Sequence, residues 1–155
     1  MVVDHSIDDQ VEALFNKIKT ETDGRLDILV NNAYAGVDVI FNPGSKKPKF
    51  YDLDPAEQWD AINGVGLRNH FICTVHASRM MAERKEGLIV NISSPGGIRY
   101  LFNAAYGIGK AALDRMAADC AIEFKDDNIT MVSLWPGPVK TEYIQDNVIN
   151  AGKTD

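Results

Sequence analysis

Tyr106 and Lys110 lie four residues apart in an alanine-rich segment, a spacing that puts both side chains on one face of a helix. A free phenol has a pKa of about 10, but a neighbouring ammonium favours the phenolate. Lys110 is therefore expected to lower the pKa of the Tyr106 phenol. Ser94 lies twelve residues before Tyr106, at the end of the preceding predicted strand. There its hydroxyl would donate a hydrogen bond to a substrate oxygen during proton transfer. The set predicts acid–base chemistry, although tyrosine and lysine at this spacing are also common on surface helices.

The segments that must position these side chains alternate between strand-like and helical patterns. A helix is predicted from Asp54, with a capping box and Pro55 in its first turn, to about Lys85, with Gly64 and Gly66 weakening its middle. The alanine-rich helix follows later in the chain. Such alternation predicts an α/β domain with a parallel sheet. The three predicted strands are Asp27–Asn31, Gly87–Ser93 and Ile129–Trp135, and the alanine-rich helix is Asn103–Phe124.

The ends of these strands carry polar or turn-forming residues, namely Asn31-Asn32, Ser93-Ser94 and Trp135-Pro136-Gly137. Open α/β sheets bind ligands just beyond the carboxyl ends of their strands, so one site is predicted there. The long connection 32–53 contains glycines and prolines, and a connection of that length inside a compact domain is usually functional.

Composition excludes several classes of protein. The 155 residues are 45% apolar and 25% charged, and they suffice for one domain. The net charge of -6, with no basic block, argues against a nucleic-acid surface. The longest apolar runs, such as Leu88–Val90, are far short of the ~20 residues of a membrane span, and no signal peptide is visible. Cys73 and Cys120 are expected to be buried thiols of a protein that is cytoplasmic or associated with an intracellular membrane, not secreted.

Four segments occur in one order and at spacings that resemble the short-chain dehydrogenase/reductase family. They are Leu29-Val30-Asn31-Asn32-Ala33, Asn91-Ile92-Ser93-Ser94, Tyr106-Gly107-Ile108-Gly109-Lys110 and Pro136-Gly137-Pro138-Val139-Lys140-Thr141. The resemblance covers nearly the whole chain. It implies a Rossmann-type, doubly wound parallel sheet and hydride transfer between NADP or NAD and a small carbonyl or alcohol substrate. NADP is slightly favoured, and a homo-oligomer is expected.

The resemblance also implies a role for each matching residue. Tyr106 would be the general acid and base and would also contact the nicotinamide side of the cofactor. Lys110 would lower the pKa of Tyr106 and hold the nicotinamide ribose, and Ser94 would orient the substrate oxygen. Ser93 is the weaker candidate, because Gly97 follows Ser94 in the Ser-x-x-Gly pattern of the family. The remaining cofactor contacts would come from Asn32 near a ribose, Val139 and Thr141 near the nicotinamide amide and phosphate, and Asp4 near the adenine; Asn31 and Asn32 are equally interpretable as a clamp at the strand end.

Three departures from the family pattern stand out. Gly66 lies seven residues after Trp59, where the family usually has Asn, and Asn63 and Asn69 are nearby substitutes. Tyr34 stands where the family usually has Gly. These 155 residues also contain no Gly-x3-Gly-x-Gly turn, the element that binds pyrophosphate at a helix N-terminus.

The missing turn makes residues 1–155 a single partial domain that lacks the first strands of the fold. We therefore expect the chain to be inactive alone. Two other interpretations remain open at this point: a non-catalytic interaction protein, and an incomplete gene model.

Overall fold

The computed structural model describes residues 1–41, 48–137 and 139–150. Within them, three strands form one parallel sheet in the order β1-β2-β3: β1 (Ile28–Asn31), β2 (Gly87–Ile92) and β3 (Ile129–Leu134). Leu29 pairs with Ile89, which in turn pairs with Met131. The sheet confirms the predicted α/β class, and its strands lie within one residue of the predicted ranges.

Six α-helices accompany the sheet in the described part of the chain. One begins at the predicted cap, where the Asp54 carboxylate accepts hydrogen bonds from the amides of Ala56 and Glu57. A second side-chain cap, not predicted from the sequence, is Asn103, whose Oδ1 accepts a hydrogen bond from the Tyr106 amide at 2.9 Å. Such caps satisfy amides that have no partner within the helix. The helices are α1 (Asp8–Glu21), α2 (Val37–Phe41), α3 (Pro55–Asn63), α4 (Asn69–Arg84), α5 (Ala104–Glu123) and α6 (Glu142–Ile144).

The prediction of a single helix from Asp54 to Lys85 is wrong, because the helix is interrupted between α3 and α4. Val65 and Gly66 have non-helical backbone angles, and Gly66 has φ of 150°, a value that side-chain-bearing residues rarely adopt. The connection 32–53 also contains α2 and a short 3₁₀ turn at Phe50–Asp52, while its residues 42–47 lie outside the described part of the chain.

One hydrophobic core joins the sheet to α1, α4 and α5. Ile89 at the centre of β2 is fully buried, and Ala77 and Met81 of α4 are buried against the same cluster. Burying these apolar side chains is the main stabilisation of the fold. The other members of the cluster are Val11, Phe15, Cys73, Met80, Ala117, Ile129 and Met131. No helix in the described ranges is long and apolar enough to cross a membrane.

Buried amides lock the carboxyl ends of β1 and β2 together. Asn31 Nδ2 donates to Asn91 Oδ1 and to Thr74 Oγ1 of α4, each at 2.9 Å, and Asn91 Nδ2 donates to the Leu113 carbonyl of α5 at 3.4 Å. Asn31 and Asn91 are almost completely buried, so the loss of one partner would leave buried polar atoms unpaired. This clamp fixes the edge of the sheet from which the candidate site is built.

Candidate active site

A cavity of about 510 Å³ opens beyond the carboxyl ends of β2 and β3. All three members of the predicted acid–base set, Ser94, Tyr106 and Lys110, line it, together with Asn32. Its other described walls come from the connections after each strand, from α2 and from α6: Tyr34, Phe41, Ile92, Ser93, Pro95, Arg99, Leu101, Phe102, Pro136, Gly137, Val139 and Ile144. The cavity is therefore the site predicted at the strand ends.

Tyr106 and Lys110 lie side by side in the first turns of α5, as their spacing predicts. Tyr106 is 9% and Lys110 is 8% exposed. The Lys110 Nζ donates to the Ile92 carbonyl at 3.0 Å and lies 5.7 Å from the centroid of the Tyr106 ring. A Cβ at Gly96 would come within 2.5 Å of Tyr106 Cε1, so a glycine is required where the 3₁₀ turn Pro95–Gly97 passes the ring. The pair is thus held by both backbone and packing.

Burial changes the acidity of Lys110. Removal from water disfavours the ammonium and lowers the pKa of Lys110 to about 8, although the Asp114 carboxylate one turn further along α5 acts in the opposite direction. Asp114 itself accepts hydrogen bonds from Ser133 Oγ and Trp135 Nε1 at the end of β3. Lys110 is therefore still mainly charged at neutral pH and loses its charge in mildly alkaline solution.

The two neighbouring serines have different surroundings. Ser94 is half-buried at the cavity wall, where its Oγ accepts a hydrogen bond from the Gly96 amide at 3.1 Å. An oxygen that accepts this bond retains its own proton for donation. Ser93 is 4% exposed, and its Oγ donates to the Lys110 carbonyl at 3.1 Å. Ser93 thus fastens β2 to α5, whereas Ser94 is placed to meet a ligand.

The expected cofactor contacts are only partly brought together. Asn32 and Val139 line the cavity, and both are exposed there. Thr141 is absent from the described lining residues; its Oγ1 accepts from the Ile144 amide and caps α6. Asp4 lies in the segment before α1, where its carboxylate accepts hydrogen bonds from Ser6 that lower its pKa. The structure thus brings two of the predicted cofactor contacts, Asn32 and Val139, into one cavity with the acid–base set.

Two departures from the family pattern turn out to be in contact. The Tyr34 ring packs directly on Gly66, where a Cβ would lie 2.6 Å from Tyr34 Cδ2. Asn63 and Asn69, the suggested substitutes, both bond backbone groups: Asn63 Nδ2 donates to the Ala105 carbonyl, and Asn69 Oδ1 accepts from the Gly66 amide. A large side chain at position 34 and the missing one at position 66 therefore form a single local arrangement.

Sequence reasoning missed the apolar walls of the cavity. Phe41, Leu101, Phe102 and Ile144 come from irregular segments and short helices, where hydrophobic periodicity gives no signal. Phe102 packs edge-on against Tyr106, with ring centroids 5.0 Å apart, and it has a left-handed φ of 59°. Non-glycine residues in this region are uncommon and cluster at functional sites.

The burial of Lys110 predicts that it lowers the stability of the fold at neutral pH. We expect Lys110→Met to raise the free energy of unfolding by about 1–2 kcal/mol at pH 7, because the desolvated charge disappears while one hydrogen bond is lost. The unfolded lysine has a pKa of 10.5 and the folded one about 8. Between these values the unfolded chain binds the extra proton, so the wild type gains stability as pH rises and the advantage of the variant shrinks.

Urea unfolding at a series of pH values measures this difference. Lys17→Met, at an exposed position on α1, serves as the control and should change stability by less than about 0.5 kcal/mol. A Lys110→Met variant that is less stable than the wild type at pH 7 would contradict the interpretation.

Residues 1–151 match the family described as short chain dehydrogenase. With the parallel sheet, the tyrosine–lysine pair on α5 and the cavity at the strand ends, the match places the chain in a family: it belongs to the short-chain dehydrogenases. The sequence-based assignment to this family is confirmed.

Within the family, the chain is 50% identical over 146 residues to Dehydrogenase/reductase SDR family member 1 of Mus musculus. It is 49% identical over 148 residues to the protein of the same name from Homo sapiens. These matches cover 94% and 96% of the chain but 46% of each relative. The chain therefore spans about half the length of these curated relatives.

Solved structures agree on the fold. The structure described as ElxO with NADP bound superposes with a TM-score of 0.83 at 28% identity, over 99% of this chain and 58% of that one. A metagenomic short-chain oxidoreductase in complex with NADP gives a TM-score of 0.74 at 28% identity, over 100% of this chain and 67% of that one. The Rossmann-type architecture expected from the sequence is confirmed.

Proposed function

We propose that this chain provides the catalytic, nicotinamide-facing part of an NAD(P)-dependent oxidoreductase that interconverts a small carbonyl compound and its alcohol. The observation that carries the proposal is the shared cavity at the strand ends, which Ser94, Tyr106 and Lys110 line together. Family membership and the NADP-bound structures among its relatives support the same reaction class.

The cavity has the features that a nicotinamide nucleotide requires. It is open and large enough for a ring and its ribose, its walls are mostly apolar, and a buried ammonium points into it. In this proposal Lys110 and Asn32 bind the ribose, Val139 and Thr141 bind near the amide and phosphate, and Asp4 binds the adenine. When bound, the nicotinamide supplies or accepts a hydride.

The protein's own residues handle the proton. Ser94 Oγ donates a hydrogen bond to the substrate oxygen and fixes its position, while Tyr106 Oη gives that oxygen a proton during reduction and removes it during oxidation. The Lys110 ammonium stabilises the negative charge that develops on Tyr106. Phe102 and Tyr34 cover the sides of the Tyr106 ring and restrict the access of water.

The 155 residues lack a glycine-rich pyrophosphate turn, so we propose that the chain alone is inactive at ordinary cofactor concentrations. A chimera provides the test: the glycine-rich first half of a short-chain dehydrogenase of known structure is joined to residues 1–155. We expect this chimera to consume NADPH in the presence of a panel of aldehydes and ketones. A chimera that binds NADPH but reduces none of them would contradict the proposed reaction.

The exposed apolar faces of α4 and α5 support a homo-oligomer. Phe71 on α4 is 57% exposed, and Ile108 and Ile122 on α5 are 52% and 76% exposed. Phe71 shares a surface groove with Ala112 and Met116 of α5, and exposed apolar surface of this kind is typical of protein interfaces. The edge of the sheet adds further exposed apolar surface, since Ile28 and Val30 of β1 are 57% and 53% exposed.

Size-exclusion chromatography with light scattering measures the assembly. We expect the wild type to be oligomeric, and Phe71→Glu to shift it toward the 17.1 kDa monomer because a buried charge opposes association. Val2→Glu, at a 98% exposed position on the N-terminal segment, is the matched control and should leave the assembly unchanged. A wild-type monomer with a sharp, cooperative thermal transition would contradict the expectation.

A further inference from the structure

The Tyr34 ring is held beside the acid–base pair in a slot between two glycines. A Cβ at Gly36 would lie 2.5 Å from Tyr34 Oη, and a Cβ at Gly66 would lie 2.6 Å from Cδ2. Any residue other than glycine at position 36 or 66 would place its Cβ too close to the ring. The loop that carries Tyr34 is also tied to the break between α3 and α4, since the Ala35 amide donates to the Val65 carbonyl at 3.0 Å.

The hydroxyl of Tyr34 does not explain why the ring is held in this slot. Its Oη is fully buried and has no hydrogen-bond partner among the described residues. Burial raises the pKa of the Tyr34 phenol, so the group stays neutral and takes no part in proton transfer. An unpaired buried hydroxyl costs free energy, and the ring must therefore offer a compensating interaction.

That interaction is with Lys110. The Lys110 Nζ lies 4.9 Å from the centroid of the Tyr34 ring, closer than to the Tyr106 ring, and the two tyrosine rings meet edge to face with centroids 6.2 Å apart. An ammonium within about 6 Å of a ring centroid is attracted by the negative charge of the π face, most strongly when it is desolvated. Lys110 is thus held between the Ile92 carbonyl and the face of Tyr34.

We propose that Tyr34 is a positioning residue whose π face holds the charged Lys110 against Tyr106, and that Gly66 is a glycine because this ring occupies the adjacent space. The catalytic role of Tyr34 rests on the proposed function, but the contact between the Tyr34 ring and Lys110 can be tested without turnover. Tyr34 acts through Lys110 and not on the substrate.

The other charged or titratable groups around Lys110 set the background. Asp114 on α5 favours the ammonium, whereas burial and the electrostatic effect of the ammonium on His70 of α4 keep that imidazole neutral, with a pKa of about 4. Arg99 lines the same cavity from the connection before α5, and Tyr106 faces Lys110 from its own helix. A substitution at position 34 alters none of these four residues. A change in the titration midpoint of Lys110 therefore reports on the Tyr34 ring.

The test is the pH titration of Lys110 in the 155-residue chain, monitored by NMR of lysine labelled with ¹³C at Cε. The Lys110 signal is assigned by its absence from the spectrum of Lys110→Arg. Tyr34→Phe retains the π face and should leave the titration midpoint unchanged while raising stability, because the unpaired hydroxyl is gone. Tyr34→Leu retains bulk but loses the π face, and it should lower the midpoint by about one pH unit. Equal midpoints in the Phe and Leu variants would overturn the proposal.

A second measurement does not depend on Tyr34→Leu. In the folded wild type, the ε-methylene protons of Lys110 should resonate upfield of the other lysines because of the ring current of Tyr34, and this shift should persist in Tyr34→Phe. A Lys110 signal at the ordinary lysine position would overturn the proposal even if Tyr34→Leu fails to fold. Neither readout uses cofactor or turnover, so the failure of this proposal is distinguishable from failure of the proposed reaction.

Discussion

Tyr106→Phe in the chimera should lower the rate of carbonyl reduction by about 10²–10⁴-fold, the usual contribution of a positioned general acid. The substitution removes the hydroxyl but retains the ring that packs against Phe102 and fills the space beside Gly96. The fold and the binding of NADPH should therefore be unchanged. Steady-state kinetics and a parallel cofactor titration separate these effects.

Tyr51→Phe provides the matched control, because Tyr51 is 75% exposed and lies outside the candidate site. Its rate should equal that of the unmodified chimera. If Tyr106→Phe reduces the rate by less than tenfold, Tyr106 is not the acid and the proposed role of Lys110 loses its basis.

The 155-residue chain alone should bind NADPH only slightly more tightly than it binds reduced nicotinamide mononucleotide, because the proposed adenine contact, Asp4, is a single exposed side chain. The contacts we propose within the cavity serve the nicotinamide and its ribose, and the chain has no glycine-rich turn to bind the pyrophosphate. The chimera should restore a preference for NADPH of at least about 100-fold, since a bound pyrophosphate adds several charge-assisted hydrogen bonds.

Fluorescence titration of the reduced nicotinamide measures both affinities in both proteins. Lys110→Met, which removes the proposed ribose contact, should weaken both ligands equally in the isolated chain. Low-micromolar NADPH binding by the isolated chain, far tighter than that of the mononucleotide, would show that these 155 residues bind the adenylate half by other means.

The elements that the sequence predicted well are those that depend on local patterns. The strands carrying Leu29, Ile89 and Met131 are apolar runs, and the structure places them within one residue of the predicted ranges. The expectation that helices cover both faces of the sheet is wrong for the described residues, because Ile28, Val30 and Val132 are exposed. The cap at Asp54 depends on residues within three positions of the helix start. Tyr106 and Lys110 share a face because helical periodicity requires it.

The elements that were missed depend on contacts between segments distant in sequence. The sequence predicts only that Gly66 weakens a long helix. In the structure the helix is interrupted at Gly66, where the Tyr34 ring packs against the backbone. Neither residue alone predicts the other. The wall formed by Phe41 and Phe102 is similar: it brings together the end of α2 and the connection before α5, whose proximity only the fold determines.

We propose that this cavity performs nicotinamide-dependent hydride transfer to a carbonyl, with the proton supplied through Tyr106. The most direct test incubates the chimera with NADPH deuterated at the transferable position of C4 and the best carbonyl substrate in ordinary water. Mass spectrometry of the alcohol should find one deuterium on the former carbonyl carbon, with formation strongly reduced in Tyr106→Phe. A chimera that binds the deuterated cofactor yet yields alcohol without deuterium, or no alcohol from any carbonyl tested, would contradict the account.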